Sequence, residues 1–224
     1  SGAARNNLTV QWCMPYAHDV LAAAALPAVT NARATGDYKH AADQWAIGGT
    51  SLFYWALNVL PFKDGFYSST LPQTGGQTEE AERAPDREAL VSALSGAMVA
   101  PMDGIYLLNA SRVLATCRAD GLVRKPDAPL ATADWCFVDD GDAARPAGGP
   151  EACRVYHAHS DVAGYGRVHY HFDNNDGALA ATALEPAMLS FVGAEANASA
   201  PHVVYDWYAA SVAGTLASAA SAAV

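Results

Sequence analysis

Apolar and polar positions in the first half of the chain alternate between the spacing of strands and the spacing of helices. Thr9 to Met14 reads as a short buried strand, and His18 to Ala28 follows it as an apolar helix. The same order returns when a strand at Val29 leads through a polar loop into Gln44 to Val59, whose apolar residues recur at helical spacing. Repeated strand, loop and helix segments predict a parallel sheet, in which functional residues gather at the carboxyl ends of the strands.

The pattern continues with shorter elements. Pro61 ends the preceding helix, Ala97 to Ala100 predicts a strand, Glu88 to Leu94 predicts a short helix, and Asn109 to Arg118 predicts a helix with Asn109 as its N-cap. The segment from residue 73 to 86 contains four acids, two glycines and a proline, which predicts a solvated insertion. The acids that we expect to face water are Glu79, Glu80, Glu82, Asp86 and Glu88.

The composition changes to Asp, Gly, Pro and Ala between residues 139 and 152, which indicates a linker. Beyond it, short runs alternate apolar and polar residues, as strands with one buried face do. We therefore expect an α/β region at 1–138, a linker at 139–152 and an antiparallel β-sandwich-like domain at 153–224. The runs with the strand pattern are Arg154 to Tyr156, Gly166 to Phe172 and Met188 to Val192.

The composition predicts a folded protein and disfavours nucleic acid as a partner. Of the 224 residues, 51% are hydrophobic and 16% are charged, so the chain can bury a core. The 13 basic and 23 acidic residues give a formal net charge of -10, which is the wrong sign for binding a phosphate backbone. The alanine-rich runs are too weakly apolar to predict a membrane span.

Cysteines and sequons favour the secretory pathway. The four cysteines, Cys13, Cys117, Cys136 and Cys153, lack CxxC spacing and histidines at zinc-site intervals, so we expect disulfides rather than a structural metal. Three Asn-x-Ser/Thr sequons lead us to expect an extracytoplasmic protein. The first residues contain neither an initiator Met nor a signal peptide, so we expect the chain to start within a longer protein or after a removed signal. The sequons begin at Asn7, Asn109 and Asn197.

Two segments near the start carry the first part of a recognisable motif set. Gln11-Trp12-Cys13-Met14 places a Cys-Met pair at a strand end. Asn31-Ala32-Arg33-Ala34-Thr35-Gly36-Asp37-Tyr38 is similar to an Arg-x-Ser-Asp-Asp motif in which Gly36 replaces the first Asp. The order of these two segments resembles the fifth and sixth strands of the (β/α)8 barrel in clan D glycoside hydrolases.

Three later segments extend this resemblance. Leu60 to Phe66 is similar to the motif Pro-Asp-Trp-Asp-Met-Phe. The segment from Ser95 through Gly104 is similar to the motif Gly-Gly-x-x-Tyr-x-Ser-Asp. The segment from Cys117 through Pro126 is similar to the motif Leu-Pro-Asp-Gly-x-x-Leu-Arg. From Val10 to Phe137 the chain thus resembles strands five to eight of the barrel in family 36, which includes α-galactosidases, raffinose synthases and seed imbibition proteins. The implied fold class is α/β, the carboxyl-terminal part of a (β/α)8 TIM barrel followed by an antiparallel β-sandwich domain.

The resemblance implies a retaining mechanism, which uses two carboxyl groups about 5 to 5.5 Å apart. It makes Asp37 the general acid/base, and it makes Arg33 a side chain that holds a sugar hydroxyl or orients a carboxylate. Gly36 removes a like-charged neighbour that helps to raise the pKa of such an acid. The family's nucleophile lies on the fourth strand, which would precede Ser1. We therefore expect an inactive fragment that needs the missing amino-terminal half of the barrel.

The resemblance also implies a sugar pocket. Cys13 and Met14 match pocket-lining positions, and Trp12 and Tyr38 are candidate pocket walls. The carboxylates that follow later strands bind either sugar hydroxyls or the backbone amides of a turn, and we favour sugar binding. The expected substrate-binding residues are Arg33, Cys13, Met14, Trp12, Tyr38, Asp64 and Asp103.

Histidines in the second half offer a different chemistry. Two His-x-His pairs on neighbouring strands either meet around a metal ion or lie on a solvated face of the sheet. We favour the solvated face, because no acidic ligand is fixed beside them, and we expect neither a metal nor a cofactor. The histidines are His157, His159, His169 and His171.

We interpret the sequence as a fragment of a glycoside hydrolase-like protein that acts on α-galactosides or related α-glycosides, with the nucleophile upstream of this chain. Its expected partner is a carbohydrate, with no nucleic acid and no membrane span. The alternative is a secreted carbohydrate-binding or structural glycoprotein that keeps the same scaffold without catalysis. An acidic residue on the missing fourth strand would separate the two.

Overall fold

A computed structural model describes residues 2–38, 47–73, 81–137, 155–164 and 166–173, and four short segments at 183–184, 202–206, 210–216 and 222–223. The chain divides into two units, Ser1–Ala131 with Ala158–Val168, and Thr132–His157 with His169–Val224. The linker expected at 139–152 lies outside the described residues, so that boundary stays a prediction.

The helices are α1 (Gly2–Arg5), α2 (Ala17–Ala23), α3 (Gly48–Ala56), α4 (Pro85–Leu94) and α5 (Ala110–Ala115), with a 3-10 turn at Asp134–Phe137. The strands are β1 (Val10–Trp12), β2 (Val29–Arg33), β3 (Leu60–Phe62), β4 (Ala128–Thr132), β5 (Val155–Val162), β6 (Gly166–Asp173), β7 (Ala183–Leu184), β8 (His202–Asp206), β9 (Ser211–Leu216) and β10 (Ala222–Ala223). Helices and strands alternate from α1 to α4, and strands dominate after α5, as the sequence predicts. The strand predicted at Ala97 to Ala100 is not formed, because only Pro101 makes a bridge there, and α5 therefore follows α4 directly.

The first three strands form a parallel sheet in the order β1-β2-β3. Arg33 at the end of β2 pairs with Phe62 at the end of β3. Beyond β3, Phe66 forms a parallel bridge to Pro101, which adds the start of a fourth parallel segment. Because parallel strands end at the same edge of a sheet, the residues that follow β2, β3 and Pro101 share that edge.

Apolar side chains from the helices and strands form the core of the first unit. α3 packs on β3, and Tyr54 of α3 donates its hydroxyl to the carbonyl of Arg33 at 3.2 Å. No helix of the described segments is long and apolar enough to cross a membrane. The larger fully buried side chains of this core are Val20, Ile47, Val59, Phe62, Phe66 and Leu130.

Three helices are shorter than the sequence predicts. α5 ends at Ala115 rather than at Arg118, and the early ends of α2 and α3 have local causes. α2 ends before Pro27, which has no amide hydrogen to continue a helix, and so stops short of the predicted end at Ala28. α3 ends before Asn58, whose φ of 58° places it in the left-handed conformation that closes many helices, so Val59 is not helical.

One predicted cap is confirmed and one strand was missed. The side chain of Asn109 accepts a hydrogen bond from the amide of Arg112 at 3.1 Å, as expected of an N-cap. β4 was not predicted, because Ala-Pro-Leu-Ala-Thr contains a proline, no aromatic residue and only one β-branched residue, Thr132. Every residue of β4 is buried.

The later strands form antiparallel pairs. β4, β5 and β6 form one sheet in the order β4-β5-β6, and Ala133 donates its amide to the carbonyl of Val155 at 3.0 Å. β8 pairs with β9, and β7 with β10, both antiparallel. The predicted strands at residues 154–156 and 166–172 correspond to β5 and β6, whereas Met188 to Val192 lies outside the described residues. The coarse prediction, a parallel α/β region followed by antiparallel strands, is confirmed.

Two glycines provide a matched test of the backbone. Gly96 has a φ of +98°, and a Cβ atom there would lie 3.0 Å from the Cβ atom of Pro129. We expect Gly96→Ala to lower the free energy of unfolding by about 1–3 kcal/mol. Gly49 is an exposed helical position in α3 with nothing near its missing Cβ, so Gly49→Ala should raise that energy by about 0.5–1 kcal/mol. Equal urea midpoints for the two variants would contradict the described backbone at Gly96.

Candidate functional site

Polar side chains follow β2 and β3 at the edge where both strands end. β2 ends at Arg33 and is followed by Asp37, and β3 ends at Phe62 and is followed by Asp64. Arg33 and Phe62 are partners in the sheet register, so the two loops begin side by side. The sheet thus brings together three of the side chains that the sequence singles out: Arg33, Asp37 and Asp64.

Arg33 is the centre of this cluster. Its side chain is only 6% exposed, and its two terminal nitrogens each contact one carboxylate: Nη2 to Asp37 Oδ1 at 2.8 Å and Nη1 to Asp64 Oδ2 at 3.1 Å. Burial lowers the pKa of Arg33, but the hydrogen bond to Asp37 and the negative charge of Asp64 raise it overall. The guanidinium therefore stays charged and holds both loops together.

Asp64 is fixed by several backbone groups. Its Oδ2 also accepts the amide of Tyr38 at 2.7 Å, and its Oδ1 accepts the amide of Gly65 at 2.9 Å. The amide of Asp64 donates to Thr35 Oγ1 at 3.0 Å. Asp64 therefore has the turn-forming contacts that the sequence offered as one alternative, and 23% of its side chain remains exposed.

Asp37 is the open member of the cluster. Its side chain is 68% exposed, although Arg33 holds one of its oxygens. A Cβ atom at the neighbouring Gly36 would meet nothing within 4 Å, so the loop leaves room beside Asp37. A ligand in solvent can therefore reach Asp37 more easily than Asp64.

A fully buried ion pair lies next to these loops. Lys63 directly precedes Asp64, its side chain is 0% exposed, and its ammonium contacts the carboxylate of Glu88 on α4, which is 1% exposed. The ammonium also donates to the carbonyls of Asp64 at 3.3 Å and Gly65 at 3.2 Å. Burial lowers the pKa of Lys63, and the charge of Glu88 opposes that shift.

Tyr38 links the ion pair to the site. Its ring centre lies 5.0 Å from Lys63 Nζ, and its hydroxyl donates to Glu82, which is 1% exposed. Glu82 also accepts the amide of Ala84 at 2.8 Å. The ring of Tyr38 packs edge to face on Tyr67 with centroids 5.3 Å apart. Tyr38 is therefore held inside a network of charges and is not an open stacking wall.

The expectation that Glu82 and Glu88 face water is wrong. Both are buried because each has a polar partner: the Tyr38 hydroxyl for Glu82 and the ammonium of Lys63 for Glu88. A sequence signal for Glu88 existed, because it lies three and four residues before Val91 and Ser92, on the buried side of α4. No comparable spacing in the sequence indicated that Glu82 or Lys63 would be buried.

Trp12 ends β1, and Cys13 and Met14 follow it. Trp12 is half-buried, Cys13 is an exposed free thiol, and Met14 is 62% exposed with a φ of 50°. β1 pairs in parallel with β2, and Trp12 is the register partner of Ala32, so β1 ends at the same edge of the sheet. These three residues do not form a closed pocket wall in the described structure.

Asp103 organises a separate loop cluster. Its carboxylate accepts the amides of Ser68, at 2.9 and 3.0 Å, and Ser69, at 3.2 Å. The amide of Asn109 donates to Ser68 Oγ at 2.8 Å, and Gln73 Oε1 accepts the amide of Gly104 at 2.8 Å. Asp103 therefore has the role of a turn-forming carboxylate.

The second half of the chain contributes one histidine pair and one disulfide-bonded cysteine. His157 Nε2 and His169 Nδ1 are 2.9 Å apart on neighbouring strands. Within the described residues, no group of three or more potential ligands could hold a metal ion. Cys136 is disulfide-bonded, whereas Cys117, like Cys13, is a free thiol.

Comparison of the chain with protein-family models, with curated proteins and with solved structures found no match. The function is therefore inferred from the chemistry of the site itself.

The ion pair of Lys63 and Glu88 provides a sharp test of this site. Removing one partner leaves a buried charge without compensation, so Glu88→Leu should lower the free energy of unfolding by about 3–5 kcal/mol. The double variant Lys63→Met with Glu88→Leu should recover most of that loss, because neither charge is then buried. Asp120→Asn, which breaks an exposed pair with Arg118, should cost about 0–1 kcal/mol. Equal losses in the Glu88 and Asp120 variants would contradict the buried pair.

The raised pKa of Tyr38 leads us to predict a loss of stability at alkaline pH. Burial, together with the hydrogen bond and charge of Glu82, raises the pKa of Tyr38 above its ordinary value near 10. Above about pH 10 the unfolded chain loses this proton while the folded chain keeps it, so stability must fall as the pH rises. We expect Tyr38→Phe to remove this part of the alkaline loss. The check is urea unfolding from pH 8 to 11, and identical slopes for both proteins would contradict the contact with Glu82.

Proposed function

We propose that this chain is part of a glycoside hydrolase-like protein that acts on α-galactosides or related α-glycosides by a retaining mechanism. The observation that carries the proposal is the contact of Arg33 with both Asp37 and Asp64, beyond the carboxyl ends of two adjacent parallel strands. Enzymes built on parallel barrels place their catalytic and binding residues at these strand ends. Sugar hydroxyls are bound well by carboxylates and guanidinium groups.

The arrangement of strands supports a partial barrel. β1, β2 and β3 are parallel neighbours in chain order, and the bridge from Phe66 to Pro101 continues the order. A barrel of alternating strands and helices is built from such neighbours, here as its strands five to eight. We further propose that the antiparallel strands of the second half belong to a β-sandwich domain.

Asp37 is assigned as the general acid/base, because it is the exposed carboxylate of the cluster and Arg33 fixes its position. Arg33 and Asp64 orient the loops and bind sugar hydroxyls. A retaining mechanism also needs a nucleophilic carboxylate about 5 to 5.5 Å from the acid/base. We assign it to a segment of the parent protein outside this sequence, so this chain alone is expected to be inactive.

The second candidate function is carbohydrate binding without catalysis. Two observations favour it. Both carboxylate oxygens of Asp64 already accept hydrogen bonds, from the amides of Tyr38 and Gly65, and Asp37 is already paired with Arg33. Either function fits an extracytoplasmic protein, and Asn7 begins an exposed sequon. Asn109 is less suited to glycosylation, because its side chain caps α5.

The test uses the parent protein from its native source and an Asp37→Asn variant of the same length. With a nitrophenyl α-galactoside as substrate, we expect kcat to fall by about a hundredfold to ten-thousandfold, because a general acid/base contributes that much. The matched control is Asp120→Asn, which also removes an exposed carboxylate paired with an arginine. This control should leave kcat unchanged.

Sugar binding measured by calorimetry separates the two functions. Turnover that depends on Asp37 supports the glycosidase. Saturable binding of galactose or raffinose without turnover supports the binding protein. Neither binding nor turnover in the parent protein would overturn both.

A further inference from the structure

We propose that His157 and His169 form an acid-sensitive clasp, which holds β6 against β5 at neutral pH and weakens in mildly acidic solution. His157 lies on β5 and His169 on the neighbouring strand β6. The clasp uses none of the residues assigned to carbohydrate chemistry. It therefore stands or falls independently of the proposed function.

The clasp is a hydrogen bond between two imidazole rings. His157 Nε2 and His169 Nδ1 lie 2.9 Å apart, with the ring planes tilted by 32°. One nitrogen donates its N–H and the other accepts it, so the accepting nitrogen carries no proton. If both rings became imidazolium ions, both facing nitrogens would carry protons and two positive charges would lie side by side. The closed pair therefore accepts at most one added proton, whereas two separated histidines accept two.

Burial determines which ring has to remain neutral. His169 is half-buried, so solvent can deliver the first proton to its outer nitrogen, and His157 then accepts the hydrogen bond. The second proton has to go to His157 Nε2. There it breaks the bond and places a charge on a ring that is 0% exposed. The solvated histidine face that the sequence favours is therefore wrong for His157.

Other titratable groups on the strands surround the pair along the sheet. β4 carries no titratable side chain. Arg167 on β6 pairs with Asp161 on β5 at 2.8 Å, so these two charges offset each other. By strand alternation, the titratable residues that share the faces carrying His157 and His169 are His159, Asp161, Arg167, His171 and Asp173.

His159 adds to the same pH dependence. Burial and the charge of Arg167 lower the pKa of His159, against the opposing charges of Asp161 and Asp127. In the unfolded chain a histidine has a pKa near 6.5. The folded chain therefore takes up a proton at His159 only at a lower pH than the unfolded chain does.

Each proton that the closed strands refuse favours the open form in acid. A separated histidine with a pKa near 6.5 is almost fully protonated at pH 5. The equilibrium constant for opening therefore rises by about thirtyfold between pH 8 and pH 5 for each refused proton. The stabilisation is fully present above about pH 6.5 and is lost as the pH falls, so the clasp weakens in acid.

Amide hydrogen exchange of the full chain at pH 8 and pH 5 tests the clasp, after correction for the pH dependence of the intrinsic exchange rate. We expect the protection of the β5 and β6 amides to fall by about thirtyfold or more. The amides of β2 and β3 should not show this loss. Equal losses in the two sheets would contradict a clasp that acts on β5 and β6.

A variant isolates the share of the histidine pair. His169→Gln keeps a hydrogen-bonding side chain beside His157 but removes one of the two rings that titrate. We expect its loss of protection between pH 8 and pH 5 to be about thirtyfold smaller than that of the unmodified protein. The matched control is His18→Gln, which removes a 79% exposed histidine and should leave the pH dependence unchanged. An unchanged loss in His169→Gln would overturn the proposal.

A second measurement does not depend on any variant folding. The nitrogen chemical shifts of the histidine rings in the unmodified protein report which ring nitrogens carry protons. We expect one of the two rings, His157 or His169, to keep an unprotonated nitrogen at pH 5 while the chain is folded. Two imidazolium rings at that pH, with native circular dichroism, would also overturn the clasp.

Discussion

The buried ammonium of Lys63 is the constraint on which the candidate site depends. A charge without solvent must have a partner, and α4 supplies it by placing Glu88 on its buried side. The same ammonium donates to the carbonyls of Asp64 and Gly65, so the chain that leaves β3 is tied to the interior. The position of α4 and the path of the loop are therefore fixed by one interaction.

This interior network extends to the residues at the strand ends. Tyr38 packs near Lys63 and donates to the buried Glu82, while its amide holds Asp64. Asp37 directly precedes Tyr38, so anchoring the tyrosine also restricts the backbone of the exposed carboxylate. The site thus combines a rigid, charged network in the interior with one exposed carboxylate, that of Asp37. This arrangement is suited to positioning a polar ligand.

The sequence predicted the fold where local patterns decide it and failed where long-range contacts do. Strand and helix spacing predicted the parallel arrangement of β1 and β2, and the Asn109 cap was predicted from residue type alone. β4 was missed because its Ala and Pro residues become a strand only through pairing in the sheet. Glu82 was misplaced because a solvated acid and a buried, paired acid look identical in sequence until the partner is known. Glu88 was misplaced although its helical spacing to Val91 and Ser92 indicated the buried side of α4.

The residues of the candidate site were also predicted only in part from the sequence. The motif resemblance picked out Arg33, Asp37 and Asp64, which the structure brings together, and also Asp103, which lies in a separate turn. Nothing in the spacing of these residues distinguishes the two clusters. Lys63 was not among the candidate site residues, because its role depends on a helix that follows more than twenty residues later.

A crystal structure of the parent protein soaked with galactose or raffinose tests the central claim most directly. The account predicts a sugar whose hydroxyls lie within hydrogen-bond distance of Asp37 and Arg33, with the pair of Lys63 and Glu88 unchanged beneath it. A saturating sugar bound elsewhere, with this cluster empty, would contradict the assignment of the strand ends as the carbohydrate site.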